Sequence, residues 1–322
     1  MYSPEKKSLT EGMISCVCFD EEKNAADFAE KAAEALSERL GGDITFTVIN
    51  RVKTNDLHLT GIVTKDLDAS PVIYVDEYEK MVLSGQMSFS ECMDEIEETF
   101  RKFAGEFPDA AFLDKGPEGL LERLVFRVLS ESRNEDLLKE RISRELAPGI
   151  HAIFDIRVSE DGMIPVSEDT LGLLETDEEE MVKRAFENAV NQYPATICHL
   201  KSTLMHEKPE LILDTDKLDF SERPAVFVVT NAEGFMGASV LFYEGVQEKI
   251  EELLGGDYYA VPSSVHELLV IPEKDAPNIS EIREMLIEAN GMIAKEDVLS
   301  DVPYVYRAGK GLMPVRIPSC FN

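Results

Sequence analysis

The chain has 322 residues, 44% of them hydrophobic, and carries 63 acidic against 32 basic side chains for a net charge of −31. That much apolar material supplies packed cores and excludes a wholly disordered chain, and the length predicts two or three domains. A surface so negative repels phosphate backbones, which excludes general nucleic-acid binding and leaves two readings of the acidity, a solubilising coat or a surface that meets a basic partner.

Residues 1–19 form an N-terminal extension in which Cys16 and Cys18 make a C-x-C pair, half of a metal site at most. Its apolar run, 13–19, is too short to span a bilayer or serve as a signal core, so the expected location is cytoplasmic with no membrane partner. Five cysteines, an odd number spread over so long a chain, do not make a disulfide framework, and Cys92, Cys198 and Cys320 each stand alone.

An α+β domain is expected over residues 20–108. Asp20 can cap a helix whose Phe28, Ala32, Leu36 and Leu40 recur every fourth position, and Gly41 ends it. The period then changes to two at Ile44, Phe46 and Val48. Thr54, Asn55 and Asp56 turn the chain into a second strand over 57–64, and 71–75 is a third. A helix from Asp76 is broken by Gly85. The next opens on a capping box, Ser88 with Glu91, and carries a stripe of Phe89, Cys92, Met93, Ile96 and Phe100.

Residues 109–214 predict a mainly helical middle region with one hairpin. Leu120, Leu121, Leu124, Val125 and Val128 fit an amphipathic helix, followed by a shorter one over 137–146 that Pro148 and Gly149 stop. A strand over 150–158 turns at Glu160, Asp161 and Gly162 into 163–166, and Thr176 opens a long helix ending near Tyr193 and Pro194. After a polar linker at 215–223, the order β-β-α repeats twice in a domain over 215–307. Its strands are expected at 225–230, 238–242, 258–261 and 268–271, and its helices at 246–254 and 279–290. Residues 308–322 are a C-terminal tail. The expected fold class is therefore α+β, with N- and C-terminal antiparallel sheets and covering helices joined by a largely helical middle.

The runs TNDLHLTGIV and SPVIYVDEYEKMVLSG, then GASVLFYEGVQEKIEELLGGDYYAVPSSVHELLVIPE, and then EDVLSDVPYVY resemble an uncharacterised family of bacterial domains of unknown function. The resemblance covers about residues 20–307 and is most specific in the segment from Asp257 to Glu267 and in the ending Val298, Leu299, Ser300, Asp301. It implies a soluble bacterial architecture and carries no activity with it.

One stretch has the residue types of catalysis: Ser263, Ser264, Val265, His266 and Glu267. Ser264, His266 and Glu267 are the candidate catalytic residues, His266 as base. Against this, serines after Pro262 are common turn formers, and in an extended segment His266 and Glu267 point to opposite faces. A nucleophile also needs an oriented base and an oxyanion hole, and no Gly-x-Ser-x-Gly elbow supplies one. A connection between two strands is the favoured reading.

Metal and cofactor sites fare no better. His199 and His206 lie seven apart on an expected helix, ~10 Å along its axis, and His151 and Asp155 lie ~13 Å apart on a strand. His58 stands alone on another. The glycine loop Gly234, Phe235, Met236, Gly237 is expected to be a hairpin followed by a strand, which lacks the helix N-terminus that a pyrophosphate needs. Arg123, Arg127, Arg133, Arg141 and Arg144 form a locally basic neighbourhood, explained by i,i+4 pairing with acidic neighbours on solvated helices. No metal and no cofactor is expected. The functional expectation is a non-enzymatic cytoplasmic interaction protein with an acidic surface and an unidentified protein partner, a basic one being its complement. A hydrolase or transferase is the alternative.

Overall fold

The structure is a computed structural model and describes residues 21–41, 43–64, 66, 70–106, 116–158, 162–216, 218–221 and 223–315. The C-x-C pair, the expected cap Asp20, the turn residues Glu160 and Asp161, and Cys320 lie outside them. Contacts divide the chain into two compact units: Met1–Arg51 with Leu59–Pro108, and Val52–His58 with Asp109–Asn322.

The first unit is built as its periodicities predict. Helix α1 (Glu21–Arg39) is followed by strands β1 (Phe46–Lys53), β2 (Leu57–Thr64) and β3 (Ile73–Tyr74), then by α2 (Asp76–Leu83) and α3 (Phe89–Glu106). The sheet order is β1-β2-β3. Every third or fourth residue of α1 and α3 is buried, Ala29, Ala32 and Leu36 against Cys92, Met93, Ile96 and Phe100, and these pack with Phe46, Ile62 and Ile73 of the sheet. The capping box forms: Ser88 Oγ accepts from the Glu91 N–H and the Glu91 carboxylate accepts from the Ser88 N–H at 2.9 Å.

The second unit opens with α4 (Gly116–Leu121), β4 (Leu124–Ser130), α5 (Glu135–Glu140), β5 (Ser143–Ala147), β6 (Ile150–Arg157) and β7 (Met163–Pro165). Here the sequence reading needs correction. The expected amphipathic helix through Leu124, Val125 and Val128 is strand β4, and the second expected helix stops at Glu140 and gives way to β5. Six of the seven residues of β4 are buried, so its apolar run reflects burial on both faces, and a short run of that kind fits helix and strand equally well. The middle region thus carries a four-stranded antiparallel sheet, β4-β6-β5 with β7 also on β6, beside its helices.

The chain continues through α6 (Glu168–Leu171), α7 (Glu178–Gln192), β8 (Ala195–His199), α8 (Leu200–Leu204), β9 (Glu210–Leu211), β10 (Phe227–Asn231), α9 (Val246–Leu254), β11 (Tyr258–Val261), β12 (Leu268–Pro272), α10 (Ile279–Asn290), β13 (Tyr304–Arg307) and β14 (Gly311–Pro314). Seven of these strands form one antiparallel sheet in the order β14-β13-β11-β12-β10-β8-β9. The strand expected at 238–242 is a 3-10 helix, Gly237–Phe242, so the double ββα pattern lacks its second strand. The fold class, mixed α+β with antiparallel sheets and covering helices, stands. Among the described residues no helix is long and apolar enough to cross a membrane.

Candidate functional site

The stretch from Asp257 to Glu273 is a pair of strands and their connection. Tyr258 pairs with Pro272 and Val261 with Leu269, so residues 262–267 join β11 to β12. The connection is not a free loop: Ser264 bridges to Val298, and the Val265 N–H donates to the Asp297 carbonyl at 2.8 Å. The chain bends at Val265 and His266, so the alternation of an extended strand does not hold there. Ser264 Oγ accepts the His266 backbone N–H at 3.0 Å, the short-range bond that turn-forming serines make.

His266 is held on both ring nitrogens. Nδ1 lies 3.2 Å from the Met236 N–H, which only an unprotonated nitrogen accepts, so in this bond Nε2 carries the proton and donates to Asp297 at 3.3 Å. The ring also packs against Phe235, with centroids 5.6 Å apart. The structure therefore brings His266 to Met236 and Asp297. Neither the Ser264 hydroxyl nor Glu267 bonds to the ring, and Glu267 has no hydrogen bond or ion pair among the described residues.

The partner of this clamp is the glycine loop, which is not the expected hairpin. Asn231 closes it, its side-chain oxygen accepting from Glu233 and Phe235 and its amide donating to the Phe235 carbonyl at 2.8 Å. At Gly237 an added Cβ would stand 2.1 Å from Thr230 Oγ1 and 2.6 Å from the His266 carbonyl, so a glycine is what lets the loop lie against β10 and the 262–267 connection. The outer ends of the stretch are tied as well. Asp257 and Glu273 both take hydrogen bonds from Arg307 on β13, and those bonds hold both carboxyls below the usual carboxylate range.

Beside the glycine loop lies a narrow pocket with a cavity volume of about 30 Å³. Strand β4 contributes Val125, Phe126 and Arg127, and β6 contributes Asp155 and Arg157. Tyr193 after α7, the loop residues Phe235 and Met236, and Tyr243 complete most of the wall. Val125 pairs with Asp155 across the two strands, and the period of two puts Arg127 and Arg157 on the same face as that pair. Asp155 is buried between Arg127 Nε at 2.9 Å and Arg141 at 2.7 Å. Burial pushes its pKa up, but the two guanidinium groups outweigh this and hold the carboxyl below its usual range. Arg157 donates to Tyr193 Oη at 2.7 Å and to Glu233 at 2.9 Å, and its guanidinium lies over the Phe235 ring at 5.7 Å. Burial pushes the Tyr243 hydroxyl up to about 12.

Residues 25–308 match a family of unknown function, DUF5688. The chain belongs to this family. The match takes in both the His266 clamp and the whole pocket wall. No curated protein and no solved structure matches the chain.

The other sequence candidates in this family member fall as follows. His199 ends β8 and its ring caps α8, while His206 lies beyond that helix, so the two do not share one. His151 and Asp155 are both on β6, and Asp155 is engaged by the arginines. His58 lies 3.5 Å from Asp136. Among the described residues no three His, Cys, Asp or Glu side chains converge as a metal site, and Cys92 and Cys198 are free thiols. The five arginines are not i,i+4 partners on solvated helices. Arg127 and Arg141 meet Asp155, Arg133 meets Asp301, Arg144 faces Glu178, and Arg123 donates to the Arg157 and Val158 carbonyls. The pocket residues were missed because the run LVFRVLS read as a helix. A charge inside each of two apolar runs, Arg127 in LVFRVLS and Asp155 in IHAIFDIR, was the available signal, since two enclosed charges of opposite sign imply a pair.

Proposed function

We propose that this chain is a non-enzymatic, cytoplasmic interaction protein that meets a basic protein partner through its acidic surface. The observation that carries the reading is the unanswered charge: 63 carboxylates against 32 cations leave an excess of 31 with no basic side chain to pair with. These groups crowd at the start of α7, where Asp177, Glu178, Glu179 and Glu180 follow one another. There Glu168, Glu175, Asp177 and Glu180 border an open depression, and only Glu180 of the four makes ion pairs among the described residues. A basic partner entering it would meet carboxylates not already committed to cations. The free thiols Cys92 and Cys198 fit a reducing compartment. The hydrolase or transferase reading at Ser264, His266 and Glu267 would require His266 to release the Met236 N–H and free Nδ1 as base, with Asp297 able to stay as its orienting carboxylate, and Ser264 to turn from the backbone N–H it accepts.

The test is affinity capture from native lysate with the wild-type chain and with a Glu168→Gln, Glu175→Gln, Glu180→Gln triple variant. A defined basic protein, retained at low salt and lost with the triple variant, is the expected result. Retention indifferent to the triple variant, or no greater than on an unrelated protein of equal net charge, would overturn the reading.

A further inference from the structure

One bond in the glycine loop depends on the protonation of a side chain. His266 Nδ1 accepts the Met236 N–H at 3.2 Å, and only an unprotonated nitrogen can do so. A histidine changes charge between about pH 5 and 8, and the side chain of this one is 30% exposed, so a proton can reach it. A protonated Nδ1 would face the Met236 N–H donor to donor. Asp297, 3.3 Å from Nε2, would meanwhile hold an imidazolium more tightly than the neutral ring, so the ring stays and the loop yields. Among the described residues Asp297 is the one charged group bonded to the ring. Lys295 and Glu296 of the same 3-10 turn, and Glu267 on the segment of His266 itself, make no bond to it, while Glu233 on the loop is taken up by Arg157. Met236 is poised to move, because it holds a left-handed backbone, φ +51°, that residues with a Cβ adopt rarely.

We propose that His266 is a pH-sensitive latch on the glycine loop. Neutral, it holds Met236 in the left-handed conformation; protonated, it keeps Asp297 and lets Met236 go. The release is local, because both neighbours of Met236 in the loop have ties of their own. The Asn231 side chain accepts from the Phe235 N–H and donates to the Phe235 carbonyl, and the Ala238 N–H donates to the Val265 carbonyl at 3.1 Å. None of these bonds involves the imidazole. Met236 also lines the narrow pocket beside β4 and β6, so its departure opens that pocket on the loop side. The latch goes beyond the acidic-surface reading and stands without it, since no residue of the depression at α6 and α7 takes part.

The experiment is an NMR titration of the full chain from about pH 5 to 8, following the His266 ring and the Met236 and Ala238 amides. Hydrogen exchange of both amides, corrected for the intrinsic effect of pH, is read alongside. As pH falls through the titration of the ring, Met236 protection should drop roughly tenfold with the same midpoint, while Ala238 protection holds. His266→Asn places an amide oxygen where Nδ1 stands and does not titrate, so Met236 protection should become indifferent to pH. Asp297→Asn removes the counter-charge of the imidazolium, so the ring and Met236 transitions should move together to lower pH. A ring that does not titrate in this range, Met236 protection that holds through its titration, or a loss shared equally by Ala238 would each overturn the proposal. So would a Met236 transition that persists in His266→Asn or stays in place in Asp297→Asn.

Discussion

His266, a candidate base by residue type, also holds a loop in place. Its two ring nitrogens bridge the Met236 N–H and the Asp297 carboxylate, and Thr230 donates to its carbonyl at 2.7 Å. Removing the ring strands a backbone donor, so His266→Ala should cost roughly 1–2 kcal/mol in urea denaturation. Ile271, buried on β12, should cost more on truncation, ~2–5 kcal/mol for Ile271→Ala, because a cavity is left where packing was. A larger loss from His266→Ala than from Ile271→Ala would show the clamp to matter beyond its hydrogen bonds. Asp155 makes a different prediction. Its folded pKa is held below that of a free aspartate, so its contribution is present above the free value and is lost as pH falls through the folded value. Asp155→Asn leaves Arg127 and Arg141 with no counter-charge and should destabilise by ~3–5 kcal/mol at neutral pH. Its stability should also fall less steeply than wild type below about pH 4, as followed by urea midpoints across an acid series. An unchanged acid slope would mean that Asp155 is not held by its arginines as described. Both residues were weighed from the sequence, His266 as a base and Asp155 as a metal ligand beside His151, but the partners of neither were legible there.

At the scale of elements, two junctions organise the second unit. The first is the tip between β1 and β2, where Asn55 and Asp56 both adopt positive φ. Asp56 accepts from the Asp136 and Leu137 N–H groups and so caps α5, and the Asn55 amide donates to the Val298 carbonyl at 2.8 Å. The second is the turn from β10 into the 3-10 helix. It depends on Gly237, whose missing Cβ makes room for Thr230, Asn231 and the His266 carbonyl. Gly237→Ala should therefore destabilise by at least ~1–3 kcal/mol and displace the His266 ring, seen as a shift of its NMR resonances together with a lower urea midpoint. Gly234→Ala is the control: there a Cβ meets nothing within 4 Å, although φ is +67°, so only the smaller cost of a strained backbone is expected. The turn at Thr54, Asn55 and Asp56 was legible from residue type. That the segment after Gly237 coils rather than pairs was not, because Ala238, Val240 and Leu241 are apolar and buried in either conformation. Only the proximity of Gly237 to neighbouring backbone distinguishes the two.

For the whole molecule the dominant physical fact is the charge of −31. Such an excess repels itself in the compact state, so added salt should raise stability. Urea midpoints measured from ~0.01 to ~0.3 M sodium chloride, over which the screening length shrinks from about 30 Å to below 10 Å, should increase steadily. Urea is the denaturant needed, since guanidinium is itself a salt. Midpoints that fall with salt would place the ion pairs around Asp155 and Arg307 above the long-range repulsion. The sequence by itself determined the acidity, the α+β class and nearly every element of the first unit, because α1 and α3 have one buried stripe each and the turn residues lie between them. It also determined α7, α9, α10 and the β11–β12 pair, whose periods and caps are unambiguous. Only the tertiary structure decided that 124–130 is a strand, since residues enclosed on every side lose the periodicity that separates helix from strand. It alone decided the partners of His266, Asp155 and Arg127 as well. Asp297 lies 31 positions from His266, and Asp155 lies 28 from Arg127, and separations of that kind are set by how the strands pair, which no local pattern records.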